Sequence, residues 1–346
     1  AIINWNSFNI AKGETVRFNQ PGVAAIALNR VTGNNASAIY GTLSANGQVF
    51  LVNPNGVLFA KGAQVNVGGL AASTLGISDK DFLNGSYQFS GDSAKSVVNQ
   101  GELSAAAKGY IALLGANAVN EGVIVAKEGT AALAAGSKVN LDFSGDGLLQ
   151  LSVDKEAVAA LASNKGLIQA DGGLVVMSAK SADALAGTVV NNSGVIEAKS
   201  VSTKNGVIRL EGGTNGSVVN SGALNASGLE AGQTGGTVKV LGDKVSLTNT
   251  SVLNVSGDAG GGTILVGGNY QGSGTEQRAK ETTVAAGASL KADAGTNGNG
   301  GTVVVWADKN TTFGGTISAK GGSKSGDGGK VETSGKQKLT VADTAK

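Results

Sequence analysis

The chain of 346 residues contains neither histidine nor cysteine. A Ser-His-Asp triad, a thiol nucleophile and any metal site built on imidazole or thiolate are therefore excluded, and so are disulfides. The residues left for acid–base chemistry are carboxylates and guanidinium groups: Asp142, Asp146 and Asp154 in one segment, and Arg209 with Glu211 in another. Two carboxylates at a set separation on one sugar-binding face would cleave a glycosidic bond. These five residues share no repeat phase, and aromatic residues, at 4% of the chain, are few for lining such a face. They read as solvated charges on outer surfaces. Glycine pairs are frequent, yet no Gly-x4-Gly-Lys-[Ser/Thr] phosphate loop occurs. No repeated Gly-Gly-x-Gly-x-Asp array of the calcium-binding kind occurs either. The expectation is a protein without a catalytic centre, metal or cofactor.

One further cluster has a spacing that does structural work. Asn53-Pro54-Asn55-Gly56 is a tight-turn sequence, with proline setting φ and glycine accepting positive φ. The elements around it follow from composition. Glycine occurs 56 times and proline twice, and apolar residues make up 41%. With so few aromatics the core must be Val, Ile, Leu and Ala, which suits short stacked strands. The formal charge is +2 with both signs interspersed. Nucleic acid is therefore not an expected partner, because that affinity rests on clustered phosphate contacts. No apolar stretch is long enough to span a bilayer. The first residues, Ala1-Ile2-Ile3-Asn4-Trp5, read as strand and not as a signal peptide, the expectation for a processed chain.

Internal repeats set the architecture. Asn-x-Gly-x-[Leu/Ile] begins at Asn99, Asn120, Asn164, Asn192 and Asn220, at steps of 21, 44, 28 and 28 residues. The step of 44 is about two short periods, so one drifted copy is expected within it. Gly-Gly-x-[Val/Ile] begins at Gly172, Gly235, Gly261, Gly300 and Gly328, each copy opening a short alternating run. Alternation over four to six residues between Gly, Asn and Ser clusters reads as strand and turn. The fold class expected is all-β: a right-handed parallel β-helix, glycines turning its corners with positive φ and asparagines laddering from coil to coil. One domain over 1–346 is expected. Cap and first coils would occupy 1–75, and regular coils 164–346. Trp5 and Phe8 would cover the exposed N-terminal end, and Trp306 would pack near a coil end. Two excursions interrupt the pattern. Residues 78–96 read as a hairpin turning at Asn84-Gly85, and 142–163 as an excursion with a short helix over Asp154–Ala162.

Both ends of the chain then resemble a known family. The carriers are Ile3-Asn4-Trp5-Asn6-Ser7-Phe8-Asn9-Ile10, Leu28-Asn29-Arg30-Val31-Thr32-Gly33, Asn46 to Val57 and Gly69-Leu70-Ala71-Ala72-Ser73-Thr74-Leu75. Near the end, Gly329-Lys330-Val331-Glu332-Thr333-Ser334-Gly335 matches as well. Together they resemble the secretion domain of two-partner secretion exoproteins, the filamentous haemagglutinin activity domain, in its high-molecular-weight adhesin and haemopexin-binding branch. A further Asn-Pro-Asn-Leu element that many relatives carry is missing, as it is in adhesin-type relatives. The resemblance implies export through the periplasm to the exterior or cell surface by an outer-membrane transporter whose periplasmic domains recognise this region. It implies a non-enzymatic, monomeric part of an adhesin or host-protein binder, with a host glycoprotein as a partner of the parent protein. It also places Asn53, Pro54, Asn55 and Gly56 in the motif tied to secretion, with Asn29 at a second marked position.

Overall fold

The structure, a computed structural model, describes residues 1–143, 148–182, 187–202 and 204–346. Its contacts divide into two compact units, one of residues 1–169 and 176–186, the other of 170–175 and 187–346. Each is built of short parallel strands on three faces, repeating in the order first, second, third: a parallel β-helix.

In the first unit one coil runs Gln48–Val52, Val57–Phe59 and Gln64–Val67 before returning to the first face at Gly69–Ser73. Strands of successive coils pair in register, as in Leu43↔Val65↔Leu103↔Ile124↔Ile168 on the third face. All five side chains are buried, so one apolar column runs through the coils. Two strands at the N-terminus join the stack, with only an isolated bridge from Ile10 to Ile39 on the second face between them. Ile2–Trp5 pairs with Ile26–Val31, and Thr15–Phe18 with Thr42–Ala45. Trp5 and Phe8 meet edge-on at 5.5 Å, and Phe8 stacks near Phe18 at 6.5 Å, covering the first coil as expected of a cap.

The asparagine ladder forms. Asn99 Nδ2 donates to Asn120 Oδ1, and Asn120 Nδ2 to Asn164 Oδ1, both at 2.8 Å. In the second unit Asn192 Nδ2 donates to Asn220 Oδ1 at 2.7 Å. There Leu247 stands opposite Asn220, and Asn220 Nδ2 turns to Ser251 Oγ instead. The step of 44 residues contains no drifted copy, because Asn117–Asn120 pairs directly with Leu161–Asn164. The surplus is an inserted antiparallel hairpin, Lys138–Asp142 against Gln150–Lys155.

The glycine pairs do something other than expected. Of their ten glycines only Gly172 has positive φ, at 70°. Most of the others are required by close approach, though not Gly328, whose Cβ would meet nothing nearer than 3.9 Å: a Cβ on Gly236, Gly262, Gly301 or Gly329 would lie 2.0 to 2.1 Å from a carbonyl oxygen one coil earlier. Only a residue without Cβ lets the corners nest at the inter-strand spacing.

The excursions differ from expectation by exchanging their structures. Residues 78–96 hold a helix, Asp79–Leu83, and no hairpin. Ser78 Oγ accepts from Asp81 N at the helix start, and Gly85, at φ 70°, follows Asn84 as the C-terminal stop. Tyr87–Ser90 then pairs with Lys138–Asp142, forming a three-stranded antiparallel sheet. The expected helix over Asp154–Ala162 is absent, replaced by the end of Gln150–Lys155, an isolated bridge at Ala157 and the start of Leu161–Asn164. This sheet and helix cover the outer side of the first face, where Phe50, Phe82, Phe89, Tyr110 and Val139 share one buried cluster. That is why Tyr110–Gly115 and Thr130–Ala135 are buried on both sides.

Tyr110 donates to Gln48 Oε1 at 2.7 Å. Burial, and secondarily the charge of a nearby Tyr87 phenolate, holds its phenol well above the ordinary tyrosine range. A raised folded-state value makes this stability complete below the unfolded value of about pH 10 and progressively lost as pH climbs above it. Tyr110→Phe is expected to cost about 1 kcal/mol at pH 7 and to flatten the loss of stability above about pH 10. Urea unfolding midpoints from pH 7 to 11 read both effects.

The second unit is less regular than expected. An excursion around Tyr270–Gly272 leaves the coil between Thr263–Val266 and Glu281–Val284. Trp306 packs there with Leu265, Val304 and Tyr270, and its indole donates to Asp308 Oδ1 at 3.1 Å, the packing role expected of it.

Candidate functional site

Asn53-Pro54-Asn55-Gly56 forms the corner between Gln48–Val52 on the first face and Val57–Phe59 on the second. Asn53 N continues the first-face ladder to Ser73 O at 2.9 Å, and Gly56 N closes a turn onto Asn53 O at 3.0 Å. Within the turn Asn53 Oδ1 accepts from Asn55 N at 2.9 Å, the side-chain mimic of a turn that asparagine supports. Gly56 takes φ 117°, as expected of that position.

The two amides then reach back one coil. Asn53 Nδ2 donates to Asn35 O at 2.9 Å and to Ser37 Oγ at 3.0 Å. Asn55 Nδ2 donates to Gly33 O at 2.9 Å, and Ser37 N returns a bond to Gly56 O at 3.0 Å. On the other side Ser93 Oγ donates to Pro54 O at 2.6 Å. Asn53 is completely buried with both amide donors and its carbonyl occupied, and Pro54 is the exposed member of the motif.

Asn29 stands on the neighbouring first-face strand, opposite Leu51. It is completely buried, accepts from Trp5 Nε1 at 3.0 Å, and donates to Ala27 O and Phe50 O at 3.2 and 3.4 Å. An amide in the apolar interior needs such partners, and the cap tryptophan supplies one. No described hydrogen bond joins Asn29 to the Asn53 corner. The two marked positions thus fix separate things, the cap on the first coil and the first corner of the next.

Spacing alone does not single out Arg30, which the fold makes a junction. Its guanidinium donates to Ile77 O and Asp79 Oδ1, both at 2.8 Å, and to Asn4 Oδ1 at 3.3 Å, tying cap strand and helix excursion to one first-face strand. Gly33, Asn35, Ser37 and Ser93 were equally unmarked. For the first three, a separation of 16 to 22 residues from the motif, close to one coil, is the signal that finds them.

The carboxylate candidates do not assemble. Asp146 lies outside the described residues. Asp142 pairs opposite Gln150 at one end of the hairpin, while Asp154 is near the other and accepts from Ser152 Oγ at 2.7 Å. Asp154 lies four residues along the strand from Gln150, roughly 13 Å at the strand rise. Arg209 and Glu211, two apart on one strand, pair with each other. Among the described residues no group of three or more acidic side chains is placed to hold a metal ion.

A β-helix with a strand cap, an aromatic excursion on its first face and this corner defines a class: the chain belongs to the TPS, or two-partner secretion, secretion domain family, whose profile matches residues 1–226. Its structure is similar to the crystal structure of the HMW1 secretion domain from Haemophilus influenzae, with a TM-score of 0.84 and 33% identity, covering 100% of this chain and 90% of that one. Two curated relatives, both named heme/hemopexin-binding protein, from Haemophilus influenzae, are 36% and 31% identical over 278 and 297 residues. Each alignment covers 75% of this chain but only 30% and 32% of the relative, so the chain spans about a third of their length. The family is that of exoprotein secretion domains, a non-enzymatic role in passage across the outer membrane.

Proposed function

We propose that this chain is the region of a two-partner exoprotein that the periplasmic domains of its outer-membrane transporter recognise, and that its first coils template β-helix folding as the chain emerges. The observation carrying the second part is the backward lock: Asn53 and Asn55 both donate to backbone of the preceding corner, at Asn35 and Gly33. Such a corner closes fully only on a coil already in place. In repeat architectures stability is a nearest-neighbour sum, so a formed first coil lowers the cost of the next. The motif acts by closing this corner, because Asn53 has no group left for a partner. Asn29 acts in the same way, by anchoring the cap through Trp5. The names of the two relatives support heme or hemopexin binding as the task of the parent protein.

The test is titration of the purified chain with the periplasmic part of its cognate transporter, beside Asn53→Ala and Pro54→Ala. Saturable binding is expected for all three folded proteins, with secretion reduced for Asn53→Ala. Absence of binding by the unaltered chain would overturn recognition. Loss of binding by a still-folded Asn53→Ala would move the motif from corner closure into the contact.

A further inference from the structure

Asn55-Gly56 at the corner is also a reactive dipeptide. The backbone nitrogen after an asparagine attacks that asparagine's side-chain carbon, and glycine, lacking Cβ, hinders the ring closure least. The new bond joins Gly56 N to Asn55 Cγ. The bond from Cγ to Nδ2 breaks, and ammonia leaves with the proton that Gly56 N gives up. Water then opens the succinimide on either side, leaving aspartate or isoaspartate, whose main chain is longer by a methylene. The attacking N–H must be released before it reacts. The sequence holds seven Asn-Gly pairs, and in four the N–H is engaged: Gly47 N with Gln20 Oε1, Gly56 N with Asn53 O, Gly85 N with Phe82 O and Gly300 N with Asp327 O. In two others the asparagine amide is occupied, Asn205 accepting from Thr234 Oγ1 and Asn297 from Ser325 Oγ. Only Asn215-Gly216 has neither group partnered among the described residues, and Asn215 is exposed. At Asn55 both groups are held at once, Gly56 N at 3.0 Å from Asn53 O and Nδ2 at 2.9 Å from Gly33 O.

We propose that Asn55 is a latent modification site, sealed by the closed corner and converted to aspartate or isoaspartate when the corner is open. A chain left unfolded thereby disables its own motif. Conversion removes the Nδ2 donor to Gly33 O and sets a carboxylate against that carbonyl. The longer main chain of the iso form also shifts Gly56 N from Asn53 O, so the lock does not rebuild. In the folded protein the reaction waits for local opening, and its rate follows the population of the open corner. The proposal rests on the corner-closure reading above and not on transporter recognition.

The test incubates the full chain at mildly alkaline pH, folded or in urea, and follows isoaspartate and mass gain at each Asn-Gly pair by peptide mass spectrometry. Asn215 is the open reference within the same molecule. In the folded protein Asn55 should convert about tenfold or more slowly than Asn215, and in urea at a similar rate. Asn53→Ala should raise the folded-state rate at Asn55 about tenfold or more and leave Asn215 unchanged. Ser37→Ala, which removes a single partner of Asn53, should raise it severalfold and serves if Asn53→Ala does not fold. Chain refolded after conversion should lose amide protection at residues 33–37. Equal folded-state rates at Asn55 and Asn215, or parental amide protection after conversion, would overturn the proposal. An unchanged Asn55 rate in a variant whose unfolding midpoint has fallen would overturn the shielding and leave the corner lock standing. If midpoint and rate both stay at the parental values, lock and proposal fall together.

Discussion

Asn53→Ala is expected to lower the unfolding free energy by about 3 kcal/mol, far more than Asn55→Ala, expected at about 1 kcal/mol. The asymmetry follows from burial and the number of partners. Asn53 is completely buried, and removing its amide leaves Ser37 Oγ unpartnered in the buried part of the corner and frees Asn35 O and Asn55 N at its partly buried edge. Asn55 is only half-buried, and its loss frees Gly33 O near the surface, where water replaces it. Asn53→Asp separates shape from donation. It keeps the acceptor for Asn55 N but turns an oxygen towards Asn35 O, so a cost at least as large as that of alanine is expected. Urea midpoints measure the three costs, and amide exchange of residues 33–37 locates them. A midpoint for Asn53→Ala within error of the parent would remove the corner lock as the reason for the motif.

The same geometry explains what could be read from residues in order. Asn-x-Gly was legible because ladder and corner recur in five coils between Asn99 and Asn220, so the copies average out local noise. Asn53 was legible as a turn, through Pro54 and Gly56, but its partners at Gly33, Asn35 and Ser37 depend on where the preceding coil lies. Arg30 was illegible for the same reason: it is defined by Ile77 and Asp79, brought to it only when the helix excursion folds back.

The exchanged excursions show the competition between local propensity and pairing. Asp154–Ala162 is rich in alanine and starts acidic, but a helix that short is marginal alone. Leu151 and Val153 just before it find Leu141 and Val139 across the hairpin, and that pairing takes the segment's start into a strand. In the other excursion, Ser78 three residues before Asp81 is a capping signal for a helix, whereas Asn84-Gly85 also fits a hairpin. The helix wins because it buries Phe82 against Phe50 and Tyr87, with ring centroids 5.9 and 6.2 Å apart. The step of 44 residues misled because an inserted hairpin and a lost repeat lengthen a sequence identically, and only the pairing of Asn120 with Asn164 distinguishes them.

Gly262→Ala should be the more damaging single methyl, at about 3 kcal/mol or more, the upper range for overpacking. Its backbone is not left-handed, so the loss would not come from torsional strain. It would come from contact: the new Cβ would lie 2.0 Å from Gly236 O and 2.7 Å from Gly235 C, atoms of the corner one coil earlier. Neither is a side chain that can swing aside. Relief requires the coils to separate locally, which weakens the pairing of Thr237–Leu241 with Thr263–Val266. Gly22→Ala is the control, because nothing lies within 4 Å of its Cβ position and its φ is ordinary. It should change stability by no more than about 0.5 kcal/mol. Amide exchange should show Gly262→Ala opening residues 237–241 and 263–266 before the rest of their unit. Equal unfolding midpoints for the two variants would mean that the glycine pairs are not there to let corners nest. The close approach that Gly236, Gly262, Gly301 and Gly329 share would then need another cause.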